Sequence, residues 1–226
     1  MGKKINPKIF RIGQTRNWDS RWFSVRNYSK FLQQDIQIKE YLGEKLKNAF
    51  VSRIEIERTP KDVNVIINSA RPGVIIGRGG VGVEELKKEV SRKFIKNNKV
   101  AVKLNIKEVE NVSLDAMIIA LSIKFDIEKR IPFRRAMKQA ILKVERAGAK
   151  GVKISASGRL NGVEIARTEK LISGKVPLHT IRADVDYAAI VANTMYGVIG
   201  IKVWIYRGDI FVNKAKADSA ANKNSK

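Results

Sequence analysis

The sequence predicts an α+β protein made of two consecutive α+β units. Three observations carry this. Apolar periodicity alternates between the helical spacing of 3.6 and the strand spacing of 2 along the chain. Two helical stretches followed by several strand-like ones in the second half point to helices on one face of a mostly antiparallel sheet. A polar stretch, Glu108 to Ser113, separates the halves. The chain has 226 residues, of which 44% are hydrophobic, enough for packed cores of this kind.

In the first half, Phe31 to Phe50 places Ile38, Leu42, Leu46 and Ala49 at helical spacing. Val51 to Glu57 alternates as a strand. Thr59-Pro60-Lys61-Asp62 has turn chemistry, and Val63 to Ile67 is a second strand, so the pair should form a hairpin. Arg71-Pro72-Gly73, a short apolar run and a glycine cluster follow. A helix is expected over Val83 to Ile95, with Val83, Leu86, Val90 and Phe94 on one face, then a third strand over Val100 to Ile106.

In the second half, Leu114 to Glu128 reads as a helix, with Asp115 near its start suiting the helix dipole. Pro132 breaks it. Phe133 to Ala147 is a second helix, ended by Gly148. Strands are expected at Gly151–Ser157, Glu164–Leu171, Thr180–Ala192 and Gly197–Tyr206. The expected organisation is a basic N-terminal arm (1–16), a first domain (17–108), a second domain (109–208) and a disordered basic tail (209–226).

Charge bounds the function. There are 45 Lys and Arg against 22 Asp and Glu, a formal net charge of +23. Self-repulsion of this size in a folded chain is relieved by a polyanion, and nucleic acid is the commonest one. No apolar run approaches the ~20 residues of a spanning helix. No apolar signal core follows Met1 to Lys4, so neither membrane nor secretory leader is expected. Cysteine is absent and His179 is the only histidine, which excludes disulfides and Cys/His metal sites and confines any Ser-His-Asp triad to His179. No cofactor and no small-molecule substrate are expected. The first 30 residues hold eight cations and one acid, Asp19, interleaved with Phe10, Trp18, Trp22, Phe23 and Tyr28. Such an arm can neutralise phosphates and stack on bases, although Trp22 and Phe23 are better read as packing under the first helix.

The glycine cluster Gly77-Arg78-Gly79-Gly80-Val81-Gly82 matches the GxGxxG dinucleotide fingerprint formally, but the preceding strand belongs to a hairpin and Arg71-Pro72 intervenes. The same residues read as IGxxGxxVxxL, from Ile76 to Leu86, and resemble the core signature of a KH domain. There a GxxG loop between two helices clamps single-stranded nucleic acid. Glycine lets the backbone approach the sugar-phosphate, and Arg78 adds a full positive charge. Helix, hairpin, GxxG pair, strand is the type II order. Some KH loops are structural only, and that alternative stays open for Gly77, Arg78, Gly79 and Gly80.

On a helical wheel of the Phe133 to Ala147 helix, Phe133, Met137, Ala140, Ile141, Val144 and Ala147 occupy one arc. Arg134, Arg135, Lys138, Gln139 and Arg146 occupy the other, and Arg130, Arg134 and Lys138 recur four apart. A buried face thus presents a row of cations suited to tracking phosphates, with only Glu145 as a counter-charge on the helix.

The stretches KINPKIFRIG, SRIEIER, ARPGVIIGRGG, FRRAMKQAI, GAKGVKISASGRLNGVEIARTE, GKVPLHTIRADVDYA and YGVIGIKVWIYRG closely resemble the family of the third protein of the small ribosomal subunit, in its bacterial form. The resemblance runs over nearly the whole chain. It implies a type II KH domain and a C-terminal α+β domain in the subunit head. It also implies binding to small-subunit ribosomal RNA and to neighbouring proteins (the tenth and fourteenth), beside the path where messenger RNA enters. The expected location is the cytoplasm, in the bacterial ribosome, with an organellar copy as the alternative. Arg130, Arg134, Arg135 and Lys138 would face incoming message and help open its helices. Lys3, Lys4, Lys8, Arg11, Arg159 and Arg167 would hold ribosomal RNA. The chain departs from the family pattern at Asn161-Gly162, where Gly-Gly is usual, and at Lys170, where an aromatic is usual. Two other functions remain open: a nuclease using the acid pair Asp184/Asp186, and a regulatory KH protein acting off the ribosome.

Overall fold

The computed structural model describes residues 4–95 and 100–211. The first unit runs β1 (Ser20–Arg21), α2 (Tyr28–Lys45), β2 (Val51–Arg58), β3 (Asp62–Ser69), α3 (Pro72–Ile76), α4 (Val81–Phe94) and β4 (Ala101–Glu108), preceded by a short α1 (Pro7–Phe10). Its sheet has the order β1-β2-β3-β4. β2 and β3 form the antiparallel hairpin, whereas β4 runs parallel to β3. A parallel neighbour needs a crossover, and the α3–α4 pair supplies it. Ile38, Leu42 and Leu46 of α2 and its extension meet Ile56, Val63, Val65 and Ile67 of the sheet and Ile75, Leu86 and Val90 of the crossover. The helix, hairpin, GxxG pair and strand therefore stand in the expected type II KH order.

The first helix ends earlier than its apolar spacing suggests. After Lys45 the chain makes a tight turn over Lys47–Ala49, and Phe50 adopts a left-handed conformation (φ 51°). This aims the Phe50 ring at Phe125 of the second unit, with centroids 5.3 Å apart, while the Arg71 guanidinium lies 4.8 Å over the Phe50 ring.

The second unit comprises α5 (Ala116–Glu128), α6 (Phe133–Arg146), β5 (Gly151–Gly158), β6 (Arg167–Gly174), β7 (Ala183–Thr194) and β8 (Gly197–Asp209). The sheet order is β6-β5-β8-β7, every pair antiparallel. Both helices cover one face of it. Ile119, Ile123 and Ile127 of α5 and Phe133, Met137, Ala140 and Val144 of α6 pack on Val152, Ile154, Ile201, Val203 and Ile205. This is the predicted α+β architecture.

Several boundaries move. Asp115 is the N-cap of α5 rather than its second residue, accepting from the Met117 and Ile118 N–H groups at 2.9 and 3.1 Å and from the Ser52 hydroxyl of β2. β6 begins at Arg167, not Glu164. Its register with β5 opens at Arg167↔Gly158, so residues 163–166 have no strand to pair with. β8 continues to Asp209, and the Ile210 N–H reaches the Arg182 carbonyl, so the expected tail starts too early. Residues 212–226 lie outside the described residues.

The N-terminal arm is corrected more fully. From Pro7 onward it is packed structure, and it belongs to the second unit, with α1 seated against β7. Of the two adjacent aromatics that follow the arm, Trp22 is half-buried and donates to Asp35 of α2, whereas Phe23 is 90% exposed. The packing expectation holds for the first and fails for the second.

Candidate nucleic-acid interface

Three surfaces were expected to meet RNA: the glycine loop, the α6 face, and a set of arm and loop cations. In the glycine loop, Gly77, Gly79 and Gly80 all have positive φ (70°, 63° and 81°), a region where side chains are strained. Arg78 is exposed at the tip. Gly82, which the motif treats as incidental, has its own constraint: a Cβ there would stand 2.7 Å from the Ile75 carbonyl oxygen. It is what lets α4 cross tightly against α3 and so aim the loop.

On α6, Phe133, Ala136, Met137, Ala140 and Val144 are buried, and Arg134, Arg135, Lys138 and Gln139 are exposed. The wheel is right in outline, although Ala147 falls past the helix end and is exposed. Arg130 does not continue the row. It sits in the α5–α6 turn at φ 64°, with its Nη2 3.0 Å from the Met195 sulfur. The counter-charge also differs from expectation. Glu169, on the neighbouring β6, takes a bidentate pair from Arg134 at 3.0 and 3.1 Å and a further bond from Arg167 at 3.1 Å. The hydrogen bonds from Arg134 hold the Glu169 carboxyl below the usual carboxylate range and raise the Arg134 guanidinium further. Among the described residues, Arg135 and Lys138 have no carboxylate partner.

The remaining cations divide. Lys4 is exposed and Lys3 lies outside the described residues. Lys8 pairs with Asp186 at 3.4 Å, with its side chain still 36% exposed. Arg159 is clamped to backbone, donating to the Val163 and Tyr196 carbonyls at 3.0 and 3.2 Å. Arg11 is not available to RNA at all. It is fully buried, and its guanidinium donates to the carbonyls of Ala183, Pro7, Pro177, Leu178 and Thr180 at 2.7–3.3 Å. It anchors α1 to the segment entering β7.

The same region disposes of the nuclease reading. Arg16 bonds both Asp184 and Asp186, at 3.5 and 3.1 Å. Asp186 also accepts from the Ala116 N–H at 2.8 Å and from Arg207 at 3.4 Å. Burial by itself raises this carboxyl, but Lys8, Arg16, the Ala116 N–H and Arg207 together bring it below its ordinary value. The pair is a structural hub joining the arm, α5 and the sheet, with its oxygens already taken by cations.

Comparison with known proteins decides the family. Residues 37–114 match the KH domain model, and residues 123–205 match the model of the C-terminal domain of ribosomal protein S3. The chain is 52% identical over 219 residues to the small ribosomal subunit protein uS3 of Laribacter hongkongensis, covering 96% of this chain and 92% of that one. The chain belongs to the ribosomal protein S3 family. The protein of the same name from Bacillus cytotoxicus is 48% identical over 223 residues, 99% of this chain and 100% of that one. That of a Polaromonas strain is 55% identical over 210 residues, 92% of this chain and 68% of its own longer one. Members of this family are structural, non-enzymatic proteins of the small ribosomal subunit, and the RNA-binding assignment follows from the KH domain together with the S3 C-terminal domain.

Proposed function

We propose that this chain binds small-subunit ribosomal RNA in the subunit head of cytoplasmic ribosomes. On this reading, α6 lines the path of entering messenger RNA and helps open its helices. The observation that carries this is the pairing of a fully buried apolar face with exposed Arg134, Arg135 and Lys138 on one rigid helix. The helix backbone is already ordered, so on meeting phosphates only the side chains pay an ordering cost, and phosphate contacts carry no sequence information, so such a row acts on any sequence. The unwinding is passive, coupled to movement of the ribosome. Lys4, Lys8 and Arg167 have exposed or half-exposed heads suited to ribosomal RNA phosphates, and Arg78 offers another cation in the glycine loop. Neighbouring head proteins are the expected protein partners.

The test replaces Arg134, Arg135 and Lys138 together by alanine. The three are exposed, so the melting transition stays in place while translation slows through a stable message hairpin and remains normal through unstructured message. Unchanged speed through the hairpin would refute the assignment. Sucrose-gradient fractionation separates a ribosomal component, which travels with the small subunit, from a regulatory KH protein acting elsewhere.

A further inference from the structure

A groove of about 450 Å³ opens at one end of the second unit, beside the first residues of α6. It is bounded by three loops: the α5–α6 turn, the Arg159–Val163 loop and the β7–β8 hairpin tip. These loops are tied to each other. Arg159 bonds the Tyr196 carbonyl at the tip, and Arg130 reaches the Met195 sulfur. Gly162 (φ 80°) lies against the Tyr196 ring, where a Cβ would stand 3.0 Å from two ring carbons. Tyr196 remains 57% exposed and Met195 76% exposed. The tyrosine ring is therefore held against a glycine while more than half of the residue stays exposed beside the groove.

We propose that this groove receives an unstacked base of single-stranded RNA, with Tyr196 as the stacking platform. Its volume falls within the range of small-ligand sites. Arg130 and Arg159 supply positive charge in its walls, and among the described residues neither is paired with a carboxylate. The one acid lining it, Glu128, already accepts from the Asn193 N–H at 3.3 Å and faces Lys124 at 3.9 Å. Asn161 lines the rim and can address a base edge with both donor and acceptor atoms. An aromatic ring among cations at the end of a cationic helix suits nucleic acid, since every base has a face to stack whatever its sequence. A strand whose phosphates follow Arg134 and Arg135 would reach the groove next; in this the inference rests on the proposed role of α6.

The experiment measures binding of the full chain to a short oligouridylate and to an abasic ribose-phosphate oligomer of equal length. Tyr196→Ala is expected to weaken oligouridylate binding roughly fivefold to a hundredfold, the range of a lost base–aromatic stack. It should leave the abasic oligomer unaffected, and Tyr196→Phe should bind like the parent. The Arg134, Arg135 and Lys138 triple alanine variant should weaken both oligomers. If the triple variant has its effect and Tyr196→Ala has none, the groove assignment falls alone. If only Tyr196→Ala has an effect, the groove stands and the α6 reading falls. Because Tyr196 also packs on Gly162, the parent chain is crosslinked to a 4-thiouridine oligomer as a second measurement. Adducts on residues 194–197 support the site, and adducts confined to other segments overturn it.

Discussion

Replacing Arg11 by methionine tests whether this cation belongs to the fold or to RNA. Methionine keeps the length of the aliphatic stem and removes the guanidinium. Five carbonyls then lose their donor: those of Ala183 and Pro7, which are buried, and those of Pro177, Leu178 and Thr180, which are half-buried. A hydrogen bond to a charged group contributes about 1.5–3 kcal/mol in isolation. These five share one planar group and cannot be summed, and some of the carbonyls regain water as α1 loosens. A loss of about 3–5 kcal/mol is the reasonable scale, near the upper end for single substitutions. For a chain of this size unfolding as one unit that corresponds to a fall of about 6–20 °C in the melting transition. Scanning calorimetry reads it directly. Arg11→Lys should recover little, because an ammonium cannot span acceptors on both α1 and the β7 approach. A transition displaced by less than ~2 °C, together with a tenfold loss of RNA affinity, would refute the buried-anchor account.

Three further outcomes follow from the same contacts. The Asp186 carboxyl is held below its unfolded value, so its contribution to stability is fully present above the unfolded pKa and is lost as pH falls through the folded one. Asp186→Asn should therefore lower stability at neutral pH and flatten the acid limb of the stability profile in urea titrations; an unchanged limb would sink this. Gly82→Ala places a Cβ 2.7 Å from a backbone oxygen, and the KH unit should lose about 1–3 kcal/mol, read by urea denaturation. Glu169→Gln releases Arg134 and Arg167, so affinity for single-stranded RNA should rise and its salt dependence steepen, which fluorescence anisotropy across a salt series will measure.

How far the sequence could be read depended on how far apart the interacting residues lie. The KH order was legible because its signals are local: alternation in β2 and β3, turn residues at Thr59 to Asp62, and glycines that tolerate positive φ. The two faces of α6 were legible for the same reason, since side chains four apart share a side. Arg11 looks like a free cation in sequence because its acceptors on the β7 approach lie 166–172 residues downstream, and nothing within the arm announces them. The start of β6 was misplaced because alternation continues through residues 163–166, where no partner strand exists. The role of Glu169 is hidden in the sequence for a related reason. A wheel drawn on α6 alone cannot show a carboxylate that arrives from a neighbouring strand.

That carboxylate changes what the cationic face can do. The net charge of +23 suggests a uniform attraction for RNA, yet much of it is committed inside the fold. Arg11 holds carbonyls, Arg16 and Arg207 hold the Asp184/Asp186 hub, and Arg58 is buried against Asp35 with its Nε 2.7 Å from a carboxylate oxygen. The α6 cations are different because they are exposed, and they are not equivalent to one another. Arg135 and Lys138 present open charge, whereas Arg134 has its Nε and Nη2 on Glu169 and must release them before that edge can grip a phosphate. The pair is open to solvent, so its net strength is small and exchange costs little. On the proposed reading this suits a strand that has to move. A row of three uncompensated cations would hold each phosphate more tightly and resist the next step. A competing carboxylate built into the adjacent strand gives Arg134 somewhere to return between phosphates, so the helix can hold the message near without holding any one position of it.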